Sequence, residues 1–219
     1  MRITGGAFKG RRLHTPPTRR QAKNTKPARD QAQRVPRKVA HDIRPTADRT
    51  REALFAILEN LDGAPAMAGA NVIDLYAGTG TLGLEALSRG ARHATFVEMD
   101  ADARGLIRAN IETLGLEGQA TLLRRDARRL GPSKPGMQCH FAFADPPYGY
   151  GLADKSAVAM LNGNWLACGA IVVIEERRGT AICPPAEFEA LFTRDYGETS
   201  LFFFRYATEP TVSTAQSAR

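Results

Sequence analysis

Long apolar runs are missing from this chain of 219 residues. The longest, such as Ala170–Ile174 and Leu201–Phe204, fall far short of the roughly 20 residues that cross a bilayer. The first residues, MRITGGAFKGRR, hold charge but no apolar core of signal-peptide length. A cytoplasmic protein is therefore expected, with no membrane contact. Cysteine is scarce. Cys139, Cys168 and Cys183 form no C-x-x-C, which excludes the usual zinc spacing and argues against a disulfide framework. Four scattered histidines (His14, His41, His93, His140) add no metal signature, so no metal is expected. Apolar residues at 43% and charged residues at 24% give the balance of a globular domain.

Acids are scarce at one end. Residues 1–51 carry fifteen Lys and Arg against Asp30, Asp42 and Asp48, a net charge of +12; the remainder carries fifteen against twenty, a net of −5. A strongly basic arm on an acidic body is self-repelling unless a polyanion neutralises it. Most of these cations are Arg, which forks onto phosphate and stacks on bases. Nucleic acid is the expected partner.

The arm has parts. Gly5-Gly6 between Met1–Thr4 and Ala7–Leu13 reads as a hairpin turn. Thr15–Ile43 has almost no large apolar residue and reads as a basic linker that cannot offset its chain entropy. From Arg44-Pro45-Thr46 a helix is expected, with Leu54, Ile57, Leu58 and Leu61 on one stripe. Beyond Asn71, strands at Val72–Tyr76, Ala94–Val97, Ala120–Leu123, His140–Ala144 and Ala170–Glu175 alternate with helices near Thr81–Ser88, 102–114 and Ala153–Asn162. That alternation predicts an α/β fold: a mainly parallel, Rossmann-like sheet with helices on both faces. Phe192–Tyr196 and Thr199–Tyr206 about Gly197 predict an antiparallel C-terminal hairpin, and residues 207–219 a frayed tail. The domains read as 1–43 (hairpin and arm), 44–206 (catalytic domain) and 207–219 (tail).

Four strand ends carry chemistry, as open α/β sheets dictate. The first is Asp74-Leu75-Tyr76-Ala77-Gly78-Thr79-Gly80-Thr81-Leu82-Gly83, a G-x-G-x-x-G between strand and helix. Dinucleotide enzymes share such glycines. Asp74, however, is badly placed for a pyrophosphate and well placed for an ammonium, as in the methionine part of S-adenosyl-L-methionine (SAM). The second is Glu98, which can accept from ribose hydroxyls in either cofactor. The third is Asp126-Ala127, where the Asp can accept from an adenine amine. The fourth, Asp145-Pro146-Pro147-Tyr148, is the most specific. Two prolines stiffen a loop that cannot donate hydrogen bonds there. A carboxylate and carbonyls remain as acceptors, and the Tyr148 ring offers a stacking face. Such a loop suits a planar ring bearing an exocyclic amine.

These residues in this order resemble the class I SAM-dependent amino methyltransferases. More narrowly, four stretches resemble the RsmD-type family of 16S rRNA guanine-N2 methyltransferases. They are M-R-I-x-G-G with Lys9-Gly10-Arg11, the R-P-T-A-D-R-T-R-E-x-L-F string from Arg44, the G-L-E-A-L-S-R-G-A string from Gly83, and D-P-P-Y. Thr15–Ile43 is longer and more basic than the short connector that the family pattern has there. The resemblance implies SAM held by Asp74, Ala77, Gly78, Thr79, Gly80, Glu98, Asp126 and Ala127. It implies methylation of the N2 amine of guanine 966 of 16S rRNA, free or in an assembling small subunit, at Asp145, Pro146, Pro147 and Tyr148. Arg2, Lys9, Arg11, Arg12, Arg44 and Arg49 are the expected RNA contacts, and a monomer is expected. Three rivals stay open. A DNA adenine-N6 methyltransferase would use the same D-P-P-Y but lacks room here for a base-recognition domain. A NAD-dependent oxidoreductase leaves D-P-P-Y unexplained. A catalytically silent RNA-binding module leaves all four strand ends unexplained.

Overall fold

The computed structural model describes residues 1–16 and 45–207. The expected linker beyond Pro16, with Arg44, and the expected tail from Thr208 lie outside the described residues, as does the boundary drawn at residue 43.

Helix α1 (Pro45–Asn60) opens on a proline, whose missing N–H is no loss at a first helical position. The chain then alternates: β1 (Asn71–Leu75), α2 (Thr81–Ser88), β2 (His93–Val97), α3 (Ala101–Leu114), β3 (Ala120–Leu123), β4 (Cys139–Ala144), α4 (Leu152–Asn162) and β5 (Leu166–Arg177). An antiparallel pair, β6 (Phe188–Tyr196) and β7 (Thr199–Tyr206), ends it. The seven strands form one sheet in the order β3-β2-β1-β4-β5-β7-β6. β1 through β5 run parallel; β7 pairs antiparallel with β5 and with β6. All five residues of β1 are buried, as a central parallel strand covered on both faces requires.

Alternate residues of the strands feed two apolar layers. Val72, Phe96, Phe141 and Val173 pack with α1, α2 and α3 on one face. Ile73, Leu75, Ala142 and Val172 pack with α4 on the other. Two strands begin a full four residues earlier than their sequence predicts. β5 starts at Leu166, because an irregularity opposite Cys139–Phe141 absorbs the Cys168-Gly169 break in its apolar run. β6 starts at Phe188 as an edge strand with exposed residues through its length.

The N-terminal hairpin forms, with Arg2 bridged to Arg12. Its turn is not the tight Gly5-Gly6 pair that the sequence predicts. A 3-10 turn at Gly6–Phe8 closes it, with Ile3 N–H donating to the Arg11 carbonyl at 3.0 Å. The two glycines serve docking instead. A Cβ on Gly6, at φ +72°, would lie 1.8 Å from the Ser88 carbonyl oxygen. Ile3 and Leu13 are buried against α1, α2 and α3.

What fixes the hairpin there is Glu85 of α2, whose side chain is wholly buried. Its carboxylate accepts from Thr4 N (2.8 Å), Thr4 Oγ1 (2.7 Å), Gly5 N (2.8 Å), Arg51 Nε (3.3 Å) and Arg89 Nε (3.0 Å). Arg51 also donates to the Arg2 carbonyl and to Asp48. A buried charge is tolerable only when paired and hydrogen-bonded in this way. Glu85→Ala would strand two guanidinium groups and the Gly5 amide. It is expected to lower the unfolding free energy by about 3–5 kcal/mol. Urea unfolding checks this, and a loss under about 1 kcal/mol would contradict the assigned role.

Candidate active site

Strand order reverses between β1 and β4, so the loops that follow them open side by side. Leu75 is in register with Ala144 on one side and Val97 on the other, and Ala144 with Ile174. Tyr76, Glu98 and Asp145 therefore stand in one row along the strand ends, in the spatial order Glu98, Tyr76, Asp145, and Glu175 near the end of β5 continues that row. The first three belong to stretches that the sequence singles out. Glu175 does not: it lies within β5, paired with Leu201, near the end of that strand.

The glycine loop winds through left-handed backbone at Tyr76 (φ +57°), Gly78 (φ +57°) and Gly80 (φ +77°). Tyr76 is not glycine, so that conformation is strained. Its hydroxyl, bonded to Ser156 of α4 at 2.8 Å, helps to hold it. Burial raises the pKa of that hydroxyl above the ordinary tyrosine value. The glycines have separate jobs. A Cβ on Gly83 would lie 2.4 Å from Phe96 Cε1, so Gly83 lets α2 sit against β2. A Cβ on Gly78 would meet nothing nearer than the Tyr76 carbonyl at 3.9 Å. The backbone at Gly78 is thus open to a ligand, at the positive end of α2.

The carboxylates around this loop do more holding than the sequence indicates. Asp74 is buried under the loop, and its Oδ2 accepts the Gly83 amide at 2.9 Å. Glu98 accepts from Gly78 N and Asp100 N, both at 2.8 Å, one on each oxygen. Each oxygen keeps a lone pair for a ribose hydroxyl. Asp126 is gripped by Arg128, with Nε 2.9 Å from Oδ1 and a terminal guanidinium nitrogen 2.6 Å from Oδ2. That guanidinium holds the Asp126 carboxyl below its usual range. An adenine amine would compete with a charged donor there. Ala127 is buried beside it. Thr79 is tied to the hairpin: its carbonyl accepts from Asn110 Nδ2 at 3.0 Å, and Asn110 also accepts from His14 N at 2.6 Å.

In the fourth loop, Asp145 N–H lies 3.4 Å from the Leu75 carbonyl, which sets the carboxylate beside the glycine loop. Pro146 is buried, while Pro147 and Tyr148 are half-exposed. The Tyr148 hydroxyl donates to Glu175 Oε1 at 2.6 Å and lies 3.1 Å from Thr199 Oγ1. Burial and the adjacent Glu175 charge push its ionisation far above the ordinary tyrosine value, so it stays a donor. The sequence points to the ring; the structure adds that the hydroxyl is a tether holding that ring across the ends of β5 and β7. Among the expected RNA contacts, Arg2, Lys9, Arg11 and Arg12 project from the hairpin and Arg49 from α1, all exposed. Among the described residues, no cluster of three or more His, Cys, Asp or Glu is arranged to hold a metal. None of their helices is long and apolar enough to cross a membrane.

The geometry finds its counterparts among known proteins. The family model described as conserved hypothetical protein 95 matches residues 32–205. The chain is similar to the ribosomal RNA small subunit methyltransferase D of Escherichia coli strain K12, at 33% identity over 80% of this chain and 74% of that protein. It superposes on the solved structure of yhhF from E. coli with a TM-score of 0.73, at 27% identity, covering 95% of this chain and 99% of the other. It shares its fold with an RNA methyltransferase from Salinibacter ruber solved with S-adenosyl-L-homocysteine. That TM-score is 0.54 at 13% identity, over 74% of this chain and 92% of that one.

Removing the Tyr148 tether separates its two roles. Tyr148→Phe keeps the ring and loses a charge-assisted hydrogen bond worth about 1.5–3 kcal/mol. It is expected to lower kcat/KM by about tenfold, while Tyr148→Ala loses far more. Steady-state kinetics check this; equal loss in the two variants would show that the ring itself contributes nothing.

Proposed function

The chain belongs to the conserved hypothetical protein 95 family, that of the ribosomal RNA small subunit methyltransferase D proteins, and from this we propose that it methylates the N2 amine of a guanine in 16S rRNA, at position 966. It is a SAM-dependent methyltransferase. The observation that carries the finer reading is the juxtaposition of an open glycine loop with Asp145-Pro146-Pro147-Tyr148 at adjoining strand ends.

The residues present fit SAM. Gly78 leaves its backbone approachable, Glu98 keeps lone pairs for a ribose, and the start of α2 favours a carboxylate. SAM supplies a methyl group already activated on a sulfonium. The chain's own residues must therefore position and polarise the amine. The lone pair of a guanine amine is delocalised into the ring, which makes it a poor nucleophile. Asp145, with a carbonyl of the Pro146 region, accepts its N–H groups and draws the nitrogen toward tetrahedral geometry, which localises that lone pair. Tyr148, tethered through Glu175 and Thr199, stacks on the base. A stacked base cannot reach such a pocket and must be flipped out, at a cost of a few kcal/mol. RNA loops lower that cost. The hairpin cations Arg2, Lys9, Arg11 and Arg12, together with the basic arm, hold the phosphates.

Tritium transfer from labelled SAM tests the reading, offered 16S rRNA, isolated small subunits or DNA. Label is expected in the rRNA substrates. Label in DNA alone would favour the adenine reading and overturn this one. Asp145→Ala is expected to lower kcat at least about a hundredfold, the scale of losing a transition-state polar contact. Calorimetry should show its SAM affinity little changed, whereas Gly78→Arg, which fills the open backbone approach, should abolish SAM binding while the fold persists.

A further inference from the structure

An RNA lying over the ends of β1 and β4 meets the hairpin cations on one side only. Ile3 and Leu13 root the hairpin in the apolar layer of α1, α2 and α3. On the other side, the segment after β3 reads Arg124-Arg125-Asp126-Ala127-Arg128-Arg129. Ala127 and Leu130 are buried in the α4 layer, and all four arginines are exposed. The apolar pair anchors the loop and leaves the guanidinium groups outside.

This loop borders the site. Glu98 N–H donates to the carbonyl of Leu123, the residue before Arg124, at 3.1 Å. Asp126 and Arg128 lie near enough to Tyr76 to act on its hydroxyl. Two of the arginines are fixed from within: Arg128 forks onto Asp126, and Arg125 donates to the Leu130 carbonyl. Among the described residues, the guanidinium groups of Arg124 and Arg129 have no hydrogen-bond or ion-pair partner. A solvated loop usually mixes signs, but here one acid faces four cations: Asp126 is forked by Arg128 and feels Arg129 only at longer range. Crowded cations of this kind repel one another unless an anion bridges them. Their planar forks suit phosphate oxygens.

We propose that Arg124 and Arg129 form a second phosphate-binding surface for the RNA substrate, on the opposite face of the sheet from the hairpin. The surface rests on the reading of the substrate as RNA, and it makes the protein grip the strand on both sides of the flipped base. The contacts are to backbone phosphate, so they add affinity and orientation rather than sequence readout.

The test uses full-length Arg124→Gln/Arg129→Gln beside the parent and Arg124→Lys/Arg129→Lys. Binding to transcribed 16S rRNA and to isolated small subunits is measured across a salt series, and SAM affinity by calorimetry. Two lost phosphate contacts should flatten log K against log[salt] by about 1.4. RNA binding at low salt should weaken about tenfold or more, and the KM for RNA should rise. SAM affinity should stay at the parental value, and the Lys pair should restore the slope. A parental slope in the Gln variant overturns the surface. So does a Lys variant as impaired as the Gln variant, because loop shape and not charge would then be at work. A parent that neither binds nor methylates RNA would instead overturn the substrate reading.

Discussion

The N-terminal hairpin, α1 and α2 converge on the buried carboxylate of Glu85. Its five donors come from the N-terminal hairpin, α1 and Arg89, the residue that caps its own helix. Once Glu85 is ionised and buried, Arg51 and Arg89 cannot leave without exposing a charge to an apolar layer. The hairpin cannot lift without breaking the bonds of Thr4 and Gly5. The constraint reaches the site because α2 is short. Its eight residues span only about 12 Å, with the glycine loop at one end and the hairpin anchor near the other. Asn110 closes the circuit by bonding both His14 and Thr79. The Thr81 hydroxyl also donates to Met1 Sδ at 3.3 Å. The basic hairpin and the glycine loop are thus tied together.

The same economy governs the strand ends. Asp74 and Glu98 each accept a backbone amide of the glycine loop and the helix turn that follows it. They shape the loop before they meet any ligand, which is how a site is pre-organised without cost at the moment of binding. Tyr148 follows the same rule through Glu175 and Thr199. Tyr76 does so through Ser156, against the strain of its own backbone. Loops that must present open backbone and carboxylates are held by side chains from neighbouring elements, because they have no ladder of their own.

Much of this was legible in the sequence. β1, β2 and β4 read directly because central strands are apolar runs. The order of Gly78, Glu98 and Asp145 after those strands then marked a candidate site. Other features depend on partners that no local pattern reveals. Tyr148 meets Glu175 and Thr199 from 27 and 51 residues away. Glu85 sits in an apolar helix and gives no hint of Arg51 or Thr4. Gly5-Gly6 matches a turn signal, yet it is close approach to Ser88 that requires the glycine at position 6. Asp126 matches the position of a ligand acceptor, yet the Arg two residues on is the stronger donor.

The central claim is that Asp145 presents one guanine amine of 16S rRNA for methylation. It is tested most directly by mapping N2-methylguanine in 16S rRNA by nuclease digestion and mass spectrometry. The rRNA would come from cells with the gene, without it, and complemented with Asp145→Ala. The account predicts one methylated guanine that vanishes with the gene, returns with the parent and stays absent with Asp145→Ala. An identical methylation map in all the strains, or a missing mark on another base, would contradict it.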